Sequence, residues 1–557
     1  MVTTVAVFTR DLRVHDNPML AAAVDGAEQV VPLFVRDADT ARPVFASDNR
    51  RRFLAESLAD LDHALRELGG RLVIREGKPV EQICRLADEV GAARVHIAAD
   101  ASAYAQQRQS RLRSALGERG RELRCHDEVN VVVGPGRLTP AGRDHFAIFT
   151  PYHRRWTDAP WRRVVPSPER IRLPEVDPGR LPAVRKRSGA GGFAGGETAG
   201  RERAGRWLRE DVKRYEERHD LPAEDGTSRL SPYLHFGCLS ALELATHAGG
   251  SSDGARAFVR QLAWRDFYYQ LLAARPDATH DDYRRSDREW RDDPDAFEAW
   301  RTGQTGIPIV DAAMRQLLSD GWMHNRTRMV TASLLTKTLG LDWRPGAAYF
   351  LEHLVDGDLA NNNLNWQWVA GTGTDTRPNR VLNPLRQAER FDPEGAYVRR
   401  YVPELAHLPG GEIHQPWRLS AGDAVPSTTR TPSAIRRTPS APTPANPASG
   451  EAGGAGAGRS TVRRADLPKI ARCALKSAPG DDRDDGRAGG DPPVGDHGEE
   501  PVHHLRDVHP VQDQTVSLRE VVDERVQRRR APGIPAEVKV LGYVPVPGFV
   551  AERGALE

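Results

Sequence analysis

The chain has 557 residues, a length that fits about three or four domains, each long enough to bury a core of its own. Its 79 Lys and Arg residues nearly balance 77 Asp and Glu, so no global basic field argues for nucleic acid, and only a local basic groove remains open. The four cysteines, Cys84, Cys125, Cys238 and Cys473, lie far apart without a CxxC pair, which argues against a zinc ribbon or a disulfide framework and suits a reducing cytoplasm. The N-terminal run "VAVF" is too short for a signal peptide and no 18-residue apolar stretch follows, so the expectation is a soluble cytoplasmic protein without a membrane segment.

Strand-length apolar runs recur at 5–8, 30–35, 72–74, 95–98 and 123–125, with helical patterns between them. In "DNPML", Asp16 or Asn17 can cap a helix whose first turn accepts Pro18. Further on, Leu54, Leu58, Leu61, Leu65 and Leu68 stripe one helical face. This alternation predicts a doubly wound parallel-sheet α/β domain over 1–130, whose ligands bind beyond the carboxyl ends of the strands. No GxGxxG follows the first strand, so a dinucleotide site of that type has no support.

Composition turns to Pro, Arg and Gly from about 158 to 200, and residues 131–200 are read as an interdomain connection. Long helical patterns return over 201–420, predicting an all-helical domain. Residues 421–557 are low in apolar content and rich in Pro, Ser, Gly and charge, which predicts a disordered tail, with "EVKVLGYVPVPGFV" at 537–550 too short and Pro-broken to form a domain.

Seven of the 11 tryptophans fall in the helical region: Trp264, Trp290, Trp300, Trp322, Trp343, Trp366 and Trp368. The plain reading is an aromatic core, and the sharper one is base stacking plus electron transfer through easily oxidised indoles. The hydroxyls of "TSRLS" at 227–231 suit either an ordinary helix cap or a phosphate seat. Taken alone, the acids and amides of "DGDLANNN" suit a capped, solvated turn, but the "NWQW" that follows makes this unlikely.

Six stretches, in order, resemble the photolyase and cryptochrome flavoproteins, in particular the microbial class I enzymes that repair cyclobutane pyrimidine dimers. They are "FTRDLRVHDNP" (8–18), "FTPYHRRW" (149–156), "TSRLSPYLHFGCLS" (227–240), "QLAWRDFYY" (261–269), "TGIPIVDAAMRQLLSDGWMHNRTRM" (305–329) and "DGDLANNNLNWQWVAGTGTD" (356–375). The resemblance implies an N-terminal antenna domain and a helical domain holding bent flavin adenine dinucleotide (FAD), active in its reduced anionic form. It implies that Asp356, Asp358 and Asn362 line the flavin ring, with Arg328 balancing the acids. A neutral Asn near the ring's reactive nitrogen tolerates an anionic flavin better than a carboxylate would. The remaining cofactor contacts it implies are Tyr215, Thr227, Ser228, Leu230, Ser231, Arg265 and Asn325.

Trp366, Trp343 and Trp290 are implied to relay electrons to the flavin. Trp264 and Trp368 would wall the pocket for the dimer, with Gln261, Asn325 and Met329 around it and Arg326 near the backbone of UV-damaged DNA. No metal is implied. The antenna pigment, 8-hydroxy-5-deazaflavin or methenyltetrahydrofolate, would sit near Leu33–Val35 and "SDNRRRF" at 47–53. One departure concerns lesion choice. Dimer photolyases commonly carry Glu where this chain has Gln261, and Gln is found in the 6-4 photoproduct branch, but that branch has paired histidines where this chain reads His324–Asn325. The cyclobutane dimer is therefore the expected substrate of a monomeric lyase, ahead of a 6-4 photolyase or a cryptochrome-like sensor. Family members usually close with a short Tyr-, Pro- and acid-rich segment after "IHxPW", here "IHQPW" at 413–417. Residues 421–557 lack that segment, so they are expected to be a dispensable extension or the product of a shifted reading frame.

Overall fold

The computed structural model describes residues 2–37, 47–184, 192–250, 252–286 and 288–418. The predicted tail at 421–557, including 537–550, lies outside these described residues.

Five strands form where the apolar runs predicted them: β1 Thr3–Phe8, β2 Gln29–Arg36, β3 Val73–Glu76, β4 Arg94–Ala98 and β5 Glu122–His126. They pair in parallel in the order β3-β2-β1-β4-β5, with Val5 opposite Val31 on one side and Val95 on the other. The central strand β1 is buried along its whole length, as a parallel sheet covered on both faces requires. One face packs on Ile83, Leu86, Leu112 and Leu116 of the helices Pro79–Glu89 and Ala103–Gly117. The other face, through Ala6, Phe8, Phe34 and Ala98, joins a core that continues into the helical region at Tyr233, Phe236 and Phe267.

Local signals explain the helix starts. Asn17 caps Pro18–Val24 by accepting from the Leu20 N–H at 3.1 Å. In the helix Asp48–Glu67 the stripe residues Leu58, Leu61 and Leu65 are buried, while Leu54 and Leu68 are half-buried at its margin. The predicted connection over 131–200 contains the helix Phe149–Asp158 and the start of the helix Glu197–Glu210. Between them the chain follows the sheet edge, where the Ile74 N–H donates to the Pro178 carbonyl at 2.8 Å and β3 is covered.

Two segments of the α/β region are stitched into the helical region. Arg50, 5% exposed, donates from Nε to the Leu354 carbonyl at 2.8 Å and from Nη2 to the Leu351 carbonyl. Arg13, 1% exposed, donates to the carbonyls of His15, Asp16, Val129 and Gly237. Gly237 ends the helix Ser231–Phe236 in the left-handed region (φ 67°), and a Cβ there would lie 1.9 Å from the Arg10 carbonyl oxygen, so only glycine lets the two regions close.

Candidate cofactor and substrate site

A cavity of about 450 Å³ opens inside the helical region, within the range of small-molecule and cofactor sites. Its principal wall is the helix Leu359–Ala370, capped by Asp358, whose carboxylate accepts from the Asn361 N–H at 2.8 Å. Helical periodicity sorts the crowded amides of this segment into two groups. Asp358, Asn361, Asn362, Asn365, Trp366 and Val369 line the cavity at steps of three and four. The buried Asn363 and Gln367 face the other way, donating to the carbonyls of Thr279 at 2.7 Å and Ala278 at 2.6 Å. One face of the helix therefore presents polar groups to the cavity, and the other ties down the 278–283 segment.

Both acids are buried. Asp356 is held by Arg328, whose Nη2 donates to its two oxygens at 3.1 and 2.8 Å. Asp358 accepts from Tyr269 Oη at 2.8 Å and from Arg10. Burial alone would raise the Asp358 carboxyl, but the facing Arg10 guanidinium holds it well below the usual carboxylate range. The neighbouring His235 imidazole is pushed down to about 4 by burial and is neutral at pH 7, with its Nδ1 4.0 Å from Asp358 Oδ2.

The cavity brings together Tyr215, Ser228, Ser231, Gln261, Trp264, Arg265, Asn325, Arg328, Met329, Asp356, Asp358, Asn362, Trp366 and Trp368 of the expected residues. Thr227, Leu230, Arg326, Trp343 and Trp290 are not in its lining. Leu230 is buried in the core and precedes the helix Ser231–Phe236. Arg326 pairs with Asp220 and lies over the Phe391 ring at 4.4 Å. Trp343 is fully buried with its Nε1 donating to Asp282 at 2.8 Å, and Trp290 is half-buried beneath Arg288.

The two aromatic walls are held differently. Trp264 stacks on Phe149 at 3.7 Å and 5°, while Arg380 lies 5.9 Å over the Trp368 ring. Trp366, 3% exposed, packs edge-on against Phe350 at 5.0 Å and Trp300 at 5.9 Å. A Cβ at Gly346 would come within 2.5 Å of its indole, so glycine makes the room for that ring.

Sequence reasoning assigned no role to Arg10, Phe149, His235 or Tyr269. Arg10, Phe149, His235 and Tyr269 all stand inside the matched stretches, which was the one available signal.

The donor set fits a large cofactor of mixed polarity. The buried carboxylates could accept from ring or linker N–H groups, with Arg328 paired to Asp356, the Ser228 and Ser231 hydroxyls in the lining, and Phe258, Leu262 and Ala332 as its apolar part. His324 sits beside this site as the cap of the helix Asn325–Ser333, its Nδ1 accepting from the Arg326 N–H at 3.2 Å. Burial pushes it down to about 3, and its Nε2 has no hydrogen-bond partner. Because the folded value lies below the unfolded one, its stability contribution is complete above about pH 6.5 and is lost as pH falls toward the folded value. His324→Asn keeps a capping acceptor, so it should gain on the parent chain by up to about 1.4 kcal/mol per pH unit below 6.5. Urea midpoints at pH 7, 6 and 5 check this, and a pH-independent difference would contradict it.

A doubly wound sheet is thus stitched to a helical region that holds an acid- and amide-lined, tryptophan-walled cavity, and known proteins share this two-part arrangement. The family described as "DNA photolyase" matches residues 4–171, and "FAD binding domain of DNA photolyase" matches residues 258–434. A deoxyribodipyrimidine photo-lyase of Streptomyces griseus is 54% identical over 429 residues, covering 76% of this chain and 94% of that protein. The chain belongs to the DNA photolyase family. Among solved structures, a bacterial class III photolyase from Agrobacterium tumefaciens superposes with a TM-score of 0.70 at 33% identity, covering 76% of this chain and 91% of that one. An archaeal photolyase from Sulfolobus tokodaii with two FAD molecules gives a TM-score of 0.67 at 32% identity, over 76% and 95% of the two chains.

Proposed function

We propose that the protein is a deoxyribodipyrimidine photo-lyase, an FAD-dependent carbon–carbon lyase that uses light to repair cyclobutane pyrimidine dimers in DNA. The observation that carries this reading is one cavity whose polar face is Asp356, Asp358 and Asn362 and whose lining also holds Trp264 and Trp368. When bound, reduced FAD supplies the photoexcited electron that opens the cyclobutane ring and takes it back, so no net redox change occurs.

The chain's own residues hold, feed and admit. Asp356, oriented by Arg328, and Asp358 would accept from the flavin's N–H and hydroxyl groups, with Arg265 and Tyr215 closing the cavity; the hydroxyls of Ser228 and Ser231 in its lining, and of Thr227 beside them, would face the diphosphate, and the buried Leu230 would support that turn from the core. Trp366, Trp343 and Trp290 form the electron-feeding chain. Trp264 and Trp368 stack on the flipped dimer, replacing the stacking lost from the duplex. Asn325, Met329 and Gln261 edge the dimer, and Arg326 reaches a phosphate once its pair with Asp220 opens.

A light-collecting pigment of the deazaflavin or folate type is assigned beside Leu33–Val35 and residues 47–53. The protein acts as a monomer in the cytoplasm. No helix among the described residues is long and apolar enough to cross a membrane.

Light-dependent repair of an irradiated thymine oligonucleotide tests the reading, and flavin binding without repair would favour a sensor instead. Gln261 is exposed at the cavity and can donate through its amide but cannot release a proton. Gln261→Glu should preserve or raise the quantum yield on cyclobutane dimers, because one charge-sensitive hydrogen bond is worth about 1.5–3 kcal/mol. Repair of 6-4 photoproducts without repair of cyclobutane dimers would overturn the substrate assignment.

A further inference from the structure

Arg10 leaves the carboxyl end of β1 and crosses into the helical region. Its Nε donates to the His235 carbonyl at 3.0 Å, its Nη1 to Asp100 at 3.1 Å, and its Nη2 to both Tyr269 Oη and Asp358. Tyr269 in turn donates to Asp358, so the guanidinium and the phenol grip the same carboxylate oxygen. Asp100, from the segment after β4, anchors the guanidinium from the α/β side. The backbone beside it is fixed as well, since the Leu12 N–H donates to the Phe236 carbonyl at 3.2 Å and Gly237 admits the Arg10 carbonyl.

We propose that Arg10 is a positioning residue for the cofactor: supplied by the α/β region and shared with Asp100, it orients Asp358 and offsets part of its charge at the flavin cavity. This rests on the reading that Asp358 faces the flavin. Burial raises the cost of an unpaired carboxylate, and Arg10 is the cation hydrogen-bonded to it. Without that cation, a bare Asp358 would oppose negative charge on a reduced flavin, and the oxidised form would gain. Lysine at position 10 keeps the charge but cannot bond Asp100, Tyr269 and Asp358 with one planar fork.

The test is a double-mutant cycle read by flavin redox titration, with thermal melts alongside. Arg10→Gln should lower the reduced-to-oxidised flavin ratio at fixed ambient potential about tenfold, as expected for one lost charge interaction inside a protein, and Arg10→Lys should recover part of it. In an Asp358→Asn background the same Arg10→Gln change should move the ratio less than twofold. Equal shifts in both backgrounds would mean that Arg10 acts on the flavin without Asp358, and a lowered melting temperature with no shift in either would make it a structural clamp; each overturns the proposal. If Arg10→Gln does not fold, Arg10→Lys is compared across the same two backgrounds, where a shift confined to the Asp358 background supports the proposal and one common to both overturns it. Asp358→Asn alone is the separate control. If it leaves the flavin titration unchanged, the cofactor-facing reading of Asp358 has failed, whatever Arg10 does.

Discussion

Photoreduction of oxidised flavin should fall at least about tenfold in Trp366→Phe, while light-driven repair by chemically pre-reduced enzyme persists. Phenylalanine keeps an aromatic ring against Phe350 and the Gly346 backbone but removes the easily oxidised indole. The repair step takes its electron from the cofactor, so it does not need Trp366. Bleaching of the oxidised-flavin absorbance under blue light, with an external donor, measures the first activity, and dimer loss from an oligonucleotide measures the second. Equal loss of both would make Trp366 structural. The indole in ring contact with Trp366 is Trp300, at 5.9 Å, so Trp300→Phe is an informative companion. It should leave photoreduction intact if the electron comes by way of Trp343 and Trp290, and its failure would reroute the chain.

Substitution of the cavity's indole walls should have the next largest effect. Stacking on an aromatic ring is worth about 1–3 kcal/mol per base, so Trp264→Ala or Trp368→Ala should weaken binding of dimer-containing DNA by roughly 5- to 150-fold. Affinity for undamaged DNA should change little, because that binding is set by phosphate contacts. Trp264 is already oriented by face-to-face stacking on Phe149. Phe149→Ala, which leaves the indole but frees its plane, should therefore cost a smaller part of the same affinity. Fluorescence anisotropy with matched damaged and undamaged duplexes separates these outcomes, and a parallel loss on both duplexes would remove the dimer-wall reading.

The strands and the helix signals of the α/β region were legible because they are local. Val5–Phe8 and Val30–Val35 are apolar runs with nothing else to do than pair, and Asn17 caps a helix three residues ahead of its donor. Within the helical region, the resemblance led to Asp356, Asp358, Asn362 and the two wall tryptophans, which do line one cavity. What local patterns could not supply was partnership over distance. Arg10 stands 348 residues from Asp358 and reads as one arginine among many in a basic-looking loop. Phe149 reads as one apolar residue on a short helix, with nothing to say that it faces Trp264. The amides of "NNNLNWQW" were legible as chemistry, but their division between the cavity and the 278–283 segment emerges only from the helix's phase against its neighbours.

Arg50 gives the fold a temporal constraint. Its two carbonyl acceptors lie 301 and 304 residues further along the chain. At about 5–20 residues per second, synthesis delivers them roughly 15–60 s after Arg50 itself has been made. Through that interval Arg50 has no native acceptor, although Tyr233 and Phe236, which cover the apolar face of the sheet, are made earlier. The α/β segment therefore cannot complete its native state on its own schedule. Its Arg50 contacts form only after residues 351 and 354, in the last third of the described chain, have been made.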